Sequence, residues 1–132
     1  MGCVDEVRRV TQMTLGQKRR LFGKLLPRLL DKAQELYPNG VAPNEIVRSA
    51  SVAIANAKKG TGIRKSLHLI GLAIDLLLYK DLDHDGEIDD YLVDTESHRE
   101  LGEWWEKQHE LCRWGGRWGD GNHYSLEHEG VR

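Results

Sequence analysis

A single carboxylate inside an apolar run is the feature that most constrains how this chain can fold. Residues 72–79 read LAIDLLLY, a continuous stretch that predicts a buried β-strand. Successive side chains of a strand point to opposite faces, so Ala73 and Asp75 share one face while Ile74 and Leu76 occupy the other. Because an unpaired buried carboxylate is costly, Asp75 requires a partner. A metal ion, a nearby arginine or a turn that the carboxylate caps would each meet this requirement.

Histidines and a second carboxylate accompany this strand in a pattern that suits a metal ion. Ser66 and His68 precede Asp75, and an Asp120-x-x-His123 segment follows much later in the chain. Two imidazoles and one carboxylate can hold a zinc ion. Asp120 supplies a further carboxylate, three residues before His123. Three protein ligands leave a fourth position for water, whose pKa then falls to about 7. The pattern is therefore typical of hydrolytic chemistry.

These two segments resemble the motifs of the zinc D-Ala-D-Ala carboxypeptidase and L-alanyl-D-glutamate endopeptidase family, peptidase M15, and particularly its phage endolysin branch. The likeness runs from about Thr14 to the C-terminus. Carried over by position, it implies three zinc ligands, which are His68, Asp75 and His123. It also implies that Asp120 is the general base that takes a proton from the attacking water.

The resemblance extends to residues around the ligands. Ser66 is expected to support the first ligand, and the family places an arginine before a helix to stabilise the oxyanion. The nearest match is residues 47–49, VRS, which lack the family's tyrosine, so Arg48 is the first candidate and Arg64 remains a competitor. His128 is an alternative ligand or a residue that faces the substrate, although no carboxylate stands three residues before it.

The remaining histidines and the tryptophans are expected to be mostly structural or exposed. Three histidines lie in polar surroundings and are predicted to face solvent: His84, His98 and His109. At least one of Trp104 and Trp105 is predicted to lie in the core, and Trp114 to pack in the core or at its edge. Trp118 precedes the second metal segment, so it either packs in the core or lines a substrate cleft.

A second group of acidic residues follows the predicted strand and matches the first eight positions of an EF-hand calcium loop. The candidate calcium ligands are Asp81, Asp83, Asp85, Glu87 and Asp89. Oxygen ligands at alternating positions can converge on one hard cation, and Gly86 allows the sharp turn. Leu92 replaces the glutamate of the twelfth position, and strands rather than helices are expected on both sides. The alternative is a solvated acidic turn; if calcium binds, it is expected to order the hairpin beside Asp75 and activate the protein.

Periodicity and capping signals predict an α+β fold. The predicted elements are helices over 14–37, 43–59 and 97–110 and a hairpin of strands near 71–79 and 88–93. Thr14 is the predicted N-cap of the first helix, with Gln17 in the capping-box position; Ser97 and Glu100 are predicted to play the same roles in the third. The helices are expected to pack on a short antiparallel sheet that carries the zinc site, as in hedgehog and DD-peptidase folds.

Length and charge narrow the class of protein and its partners. Residues 1–132 are predicted to form one zinc peptidase domain, with 1–13 as a flexible N-terminal extension. Residues 1–32 hold eight Lys or Arg against three acids, and 81–96 hold eight acids and no Lys or Arg. The basic part is too sparse for a nucleic-acid footprint, and no apolar stretch approaches the roughly 18 residues of a membrane span. A monomer is expected.

The cysteines and the N-terminus indicate where such a protein is made. Two cysteines do not form a disulfide framework, and the acidic N-terminal segment shows no secretory signal. We expect synthesis in a host cytoplasm and action on the cell wall, in the periplasm or outside the membrane, after release by another agent.

The resemblance implies a zinc metallopeptidase that hydrolyses the L-Ala-D-Glu bond of the peptidoglycan stem peptide. A D-Ala-D-Ala carboxypeptidase is the alternative among enzymes, and it needs a cation such as Arg64 or Arg117 for the terminal carboxylate. A noncatalytic wall-binding module with a structural zinc site is the alternative of another class. Structural zinc sites normally use four ligands and favour cysteine, of which only Cys112 is near.

Overall fold

The structure is a computed structural model that describes residues 13–44, 67–68 and 70–132. In these ranges two α-helices pack on a five-stranded antiparallel sheet, so the predicted α+β class is confirmed. Among the helices of the described ranges, none combines the length and apolar character that a bilayer span requires.

The first helix, α1, runs over Leu15–Leu36 and begins as the sequence predicts. The Thr14 hydroxyl accepts a hydrogen bond from the Gln17 backbone N–H at 3.1 Å, and the Gln17 side chain accepts one from the Thr14 N–H at 2.8 Å. This reciprocal capping box satisfies N–H groups that a helix start leaves without intrahelical partners. Four apolar side chains at helical spacing form the buried face: Phe22, Leu25, Leu29 and Ala33.

The sheet is built around one long strand. Its strands are β1 (Val41–Pro43), β2 (Ala73–Lys80), β3 (Asp90–Tyr91), β4 (Cys112–Trp114) and β5 (His123–Leu126). The C-terminal part of β2 pairs with β1 and β3, its N-terminal part pairs with β5, and β4 pairs with the other edge of β5. The predicted hairpin of β2 and β3 is confirmed, and the pairing of β2 with β5 brings distant parts of the sequence side by side.

The predicted helix over 43–59 is wrong at its first residue. Pro43 ends β1, where it lies opposite Leu76 of β2. Proline lacks an N–H group, and an edge strand such as β1 tolerates that loss. The next residue, Asn44, donates its backbone N–H to the carbonyl of Asp75 at 2.8 Å, which fixes the chain against the middle of β2. Residues 45–59 lie outside the described residues.

The second helix, α2, runs over Arg99–Glu106 and is shorter than predicted. A 3-10 turn over Thr95–His98 leads into it, and the Asp94 carboxylate accepts hydrogen bonds from the Ser97 N–H at 3.2 Å and the Ser97 hydroxyl at 2.6 Å. The prediction that Ser97 caps this helix is therefore wrong. Asp94 instead caps the 3-10 turn, because an ionised carboxylate is a strong acceptor, and His98, the N-cap of α2, makes no side-chain capping bond.

Trp114 ties α2 to the loop that precedes β5. Its indole is fully buried, and its Nε1–H donates to the carbonyl of Gly121 at 2.7 Å. A Cβ atom at either Gly102 or Gly116 would lie 2.1 Å from the indole, so the ring is held between two glycines. Trp105 is also fully buried. The predicted core positions of Trp105 and Trp114 are thus confirmed.

Candidate active site

The pairing of β2 with β5 places Asp75 directly opposite His123. His68 lies in the turn that enters β2, and its Nε2 is 3.1 Å from the Oδ1 of Asp75. The Nδ1 of His123 lies 3.7 Å from the same oxygen. One ligand atom from each of the three residues lies within 4.8 Å of the others. The fold therefore brings together the three residues that the sequence analysis named as zinc ligands.

The chemistry of this group fits a cation. His68, Asp75 and His123 are only 3%, 9% and 5% exposed. Among the described residues His123 Nε2 has no hydrogen-bond partner, and Asp75 Oδ1 faces both imidazoles without a hydrogen bond of good geometry to either. Burial raises the pKa of Asp75, but the facing His123 and His68 imidazoles outweigh this effect and lower the pKa to about 2. A buried, ionised carboxylate between two imidazoles is costly unless something satisfies it. The His/Asp/His group can therefore bind a metal ion.

Asp120 lies at the solvent side of this group. Its Oδ2 is 3.9 Å from His123 Nδ1, and its side chain is 50% exposed. Its N–H donates to the carbonyl of Gly115 at 2.8 Å, which closes the loop before β5. A Cβ atom at Gly115 would lie 2.1 Å from the carbonyl oxygen of Asp120 and 2.7 Å from the Cβ of His123, so the loop leaves no room for a side chain there. A half-exposed carboxylate beside the His/Asp/His group can exchange a proton with a water molecule that binds next to that group.

A buried histidine and tyrosine support β5 from its opposite face. His98 Nδ1 lies 2.7 Å from the hydroxyl of Tyr124, the neighbour of His123 in the strand. Burial lowers the pKa of His98 to about 4, although Asp94 and Asp75 act in the opposite direction, and burial raises the pKa of Tyr124. The prediction that His98 faces solvent is wrong, because the side chain is only 2% exposed and packs in the interior.

Trp118 forms one wall beside His123. It is 39% exposed, and its ring centroid is 5.6 Å from that of the imidazole. The guanidinium of Arg132 lies over the same indole, 5.0 Å from its centroid. Arg117, a sequence candidate for binding a carboxylate, is instead paired with Glu106 at 2.6 Å. Trp118 therefore lies at the rim of the site and not in the core.

The other histidines are not part of the His/Asp/His group. His128 Nδ1 is 3.0 Å from Lys18 Nζ, which holds the C-terminal segment against α1. His84 is exposed, as predicted. His109 is half-buried, and its Nδ1 accepts the Leu111 N–H at 3.1 Å, so the prediction of a solvated side chain is wrong there.

The acidic loop between β2 and β3 forms a compact turn. Two groups of three carboxylates have ligand atoms within 4.8 Å of one another: Asp81 with Asp83 and Asp85, and Asp83 with Asp89 and Asp90. Backbone groups already bond several of these oxygens, since the Gly86 N–H donates to Asp81 at 3.0 Å and the Glu87 N–H to Asp85 at 2.8 Å. Strands lie on both sides of the loop, as expected. Calcium binding by this loop stays a prediction.

Three predicted site residues, Ser66, Arg48 and Arg64, lie outside the described residues. Conversely, the sequence analysis missed His98 and the role of Gly115. A signal for His98 was available, because it stands three residues before Leu101 and seven before Trp105, on the face that α2 buries. No comparable signal marks Gly115, since its importance depends on contacts with residues that follow it in the folded loop.

Comparison with known proteins agrees with this geometry. A model of the M15 peptidase family, described as D-alanyl-D-alanine carboxypeptidase, matches residues 59–126, which include His68, Asp75, Asp120 and His123. Among solved structures, the chain is similar to the Serratia marcescens L-Ala D-Glu endopeptidase ChiX, with 18% identity, 77% of each chain covered and a TM-score of 0.57. A search of curated proteins finds no significant match. Because the family match covers more than half of its length, the chain belongs to the M15 peptidase family.

Proposed function

We propose that the protein is a zinc-dependent peptidase that hydrolyses the L-Ala-D-Glu bond of peptidoglycan stem peptides. The observation that carries the proposal is the group of His68, Asp75 and His123, with the exposed Asp120 carboxylate beside it. Three protein ligands leave a coordination position open, as catalytic zinc sites do. Membership of the M15 peptidase family and the fold shared with an L-Ala D-Glu endopeptidase support the choice of substrate.

In this proposal each residue has a distinct chemical role. Zinc, held by the His/Asp/His group, would lower the pKa of a water molecule and polarise the scissile carbonyl. Asp120 accepts a proton from the attacking water and delivers it to the amide nitrogen as the C–N bond breaks. The products are a carboxylate on L-Ala and a free amine on D-Glu. His98 and Tyr124 hold β5, and with it His123, in place.

The second candidate within the enzyme class is a D-Ala-D-Ala carboxypeptidase, which the description of the matching family model favours. Digestion of purified peptidoglycan followed by mass spectrometry separates the two activities. New amino groups on D-Glu are expected for the endopeptidase, whereas released D-Ala identifies the carboxypeptidase. If zinc-loaded protein releases neither of these products, the proposed function is refuted.

Asp120→Asn separates an enzyme from a noncatalytic wall-binding module. The change keeps the size of the side chain but removes the proton acceptor, so we expect turnover to fall about 100-fold or more. Zinc content should be unchanged, because Asp120 is not one of the three proposed ligands. A noncatalytic module has no turnover to lose, and it should bind peptidoglycan equally well with either residue.

We also propose that the acidic loop binds calcium and that the ion activates the enzyme outside the cytoplasm, after release in a phage-type lysis. Two groups of three aspartates with close ligand atoms support this part of the proposal. Without a cation these carboxylates repel one another and weaken the hairpin that extends from Asp75. Activity of zinc-loaded protein should rise with millimolar calcium; equal activity with and without calcium would contradict it. We propose that the enzyme works as a monomer, which light scattering can test.

A further inference from the structure

The chain folds back sharply after β5. Glu129 and Gly130 have positive φ angles of 49° and 79°, the conformation of a tight type I′ turn. His128 and Val131 exchange two backbone hydrogen bonds across this turn, at 3.0 and 2.9 Å. Val131 packs against the hydrophobic core, and His128 contacts Lys18 of α1. The turn is therefore anchored on both sides, and it determines where Arg132 lies.

The turn places Arg132 at the rim of the His/Asp/His group. Its guanidinium lies 5.0 Å from the centroid of the Trp118 indole, and that indole contacts His123 at a centroid distance of 5.6 Å. The Trp118 indole thus contacts both a cation and a proposed zinc ligand. A planar guanidinium over an aromatic face keeps the N–H groups at its edge available for a bidentate bond to a carboxylate.

The other arginines near Trp114 and β5 are already paired. Arg117 binds Glu106, Arg99 binds Glu96 and Glu103, and Arg113 binds Glu127. Arg132 has no ion-pair partner within the part of the chain that the structure describes, and its guanidinium contacts the face of the Trp118 indole. Of these four described arginines, Arg132 is therefore the one whose guanidinium has no ion pair to break before it binds a ligand.

We propose that Arg132 binds the free carboxylate of the amino acid on the leaving side of the scissile bond, with Trp118 as its platform. This inference rests on the proposed function. In the L-Ala-D-Glu substrate, D-Glu continues the stem through its γ-carboxyl, so its α-carboxylate lies beside the scissile nitrogen. In a D-Ala-D-Ala substrate the terminal carboxylate occupies the same place. Both candidate substrates therefore present one anion at the same distance from the bond that breaks.

A bidentate bond between guanidinium and carboxylate at a partly exposed rim is expected to contribute about tenfold or more to substrate affinity. Its loss should appear mainly in KM, because this carboxylate takes no part in the bond cleavage and carries the same charge in the ground state and in the transition state. Arg132→Lys keeps the charge but not the fork of donors, so it should restore only part of the affinity.

The test compares peptides that differ only in this carboxylate. The proteins are zinc-loaded wild type, Arg132→Gln and Arg132→Lys. Each is assayed with two pairs of peptides: L-Ala-D-Glu peptides with a free or amidated α-carboxylate on D-Glu, and D-Ala-D-Ala peptides with a free or amidated C-terminus. Wild type should prefer the free carboxylate about tenfold in KM, and Arg132→Gln should lose this preference while kcat changes little. Arg28→Gln, on the exposed face of α1, is the matched control and should behave as wild type.

A binding measurement gives a second readout that needs no turnover. Calorimetry with the D-Glu peptide product and its amide, using metal-free protein, should show the same preference in wild type and its loss in Arg132→Gln. If wild type cleaves the peptides but does not distinguish acid from amide, the role of Arg132 is overturned while the proposed function stands. If no peptide is cleaved, the proposed function fails, and the calorimetry alone decides whether Arg132 binds carboxylates.

Discussion

Acidification should destabilise this protein through His98, and the size of the effect can be worked out from the structure. His98 is 2% exposed, and burial lowers its pKa from 6.5 to about 4. Because the folded pKa lies below the unfolded value, the unfolded chain binds more protons between these two values. The stabilising contribution of neutral His98 is therefore complete above pH 6.5 and is lost as the pH falls towards 4. At pH 4.5 the loss should be roughly 2 to 3 kcal/mol.

Urea unfolding of metal-free wild type and His98→Gln at pH 7.0, 5.5 and 4.5 measures this effect. The glutamine amide can still bond the Tyr124 hydroxyl but does not titrate in this range. The free-energy difference between wild type and variant should shrink by about 2 to 3 kcal/mol on acidification, since the variant lacks the titrating group. Taking this difference cancels the titration of His68, Asp75 and His123, which both proteins share.

His84→Asn is the matched control, because His84 is exposed and its positive φ of 58° suits asparagine. It should follow wild type at every pH. A difference between wild type and His98→Gln that does not change with pH would refute the reasoning. An NMR titration of His98 with a midpoint near 6.5 would do so independently.

Three further outcomes follow from the site and its loop. Gly115→Ala introduces a methyl group 2.1 Å from the Asp120 carbonyl oxygen, so turnover should fall at least tenfold while circular dichroism shows a folded protein. Gly23→Ala on α1 is the control. Its methyl group meets nothing within 4 Å, so it should raise the free energy of unfolding by about 0.5 to 1 kcal/mol. Asp75→Ala should reduce zinc affinity about 100-fold or more in competition with a chelating dye, and unchanged affinity would exclude Asp75 as a ligand. Trp114→Phe should lower the free energy of unfolding by about 1 to 3 kcal/mol, because it removes the hydrogen bond to Gly121 and leaves a gap between two glycines. Thermal unfolding measures this loss. A smaller loss than in Trp104→Phe would contradict the packing of Trp114.

The sequence predicted the elements whose signals are local. The capping box at Thr14 and Gln17, the apolar run of β2 and its hairpin with β3 each depend on residues close together in the chain. The pairing of β2 with β5 has no local signal. The family resemblance predicts that His68, Asp75 and His123 converge. The periodicity of the sequence alone does not predict this convergence.

The errors have physical causes in particular residues. Ser97 was predicted to cap α2, but it lies in a 3-10 turn where its N–H and hydroxyl donate to the Asp94 carboxylate, and α2 begins only at Arg99. His98 was predicted to be exposed because its neighbours in sequence are polar, whereas in the fold it is buried against the ring and hydroxyl of Tyr124. The sequence predicts no role for Arg132, because its contact with Trp118 depends on the turn at 128–131.

The cross-strand position of Asp75 and His123 has a consequence for folding. Their strands are far apart in the sequence, so the His/Asp/His group forms only after a slow, long-range pairing step has been completed. An ion held there would act as a removable crosslink that the unfolded chain cannot form. Each tenfold excess of free zinc over its dissociation constant would then add about 1.4 kcal/mol to the stability of the native state. The supply of the metal would thus govern the stability of the folded protein as well as its chemistry.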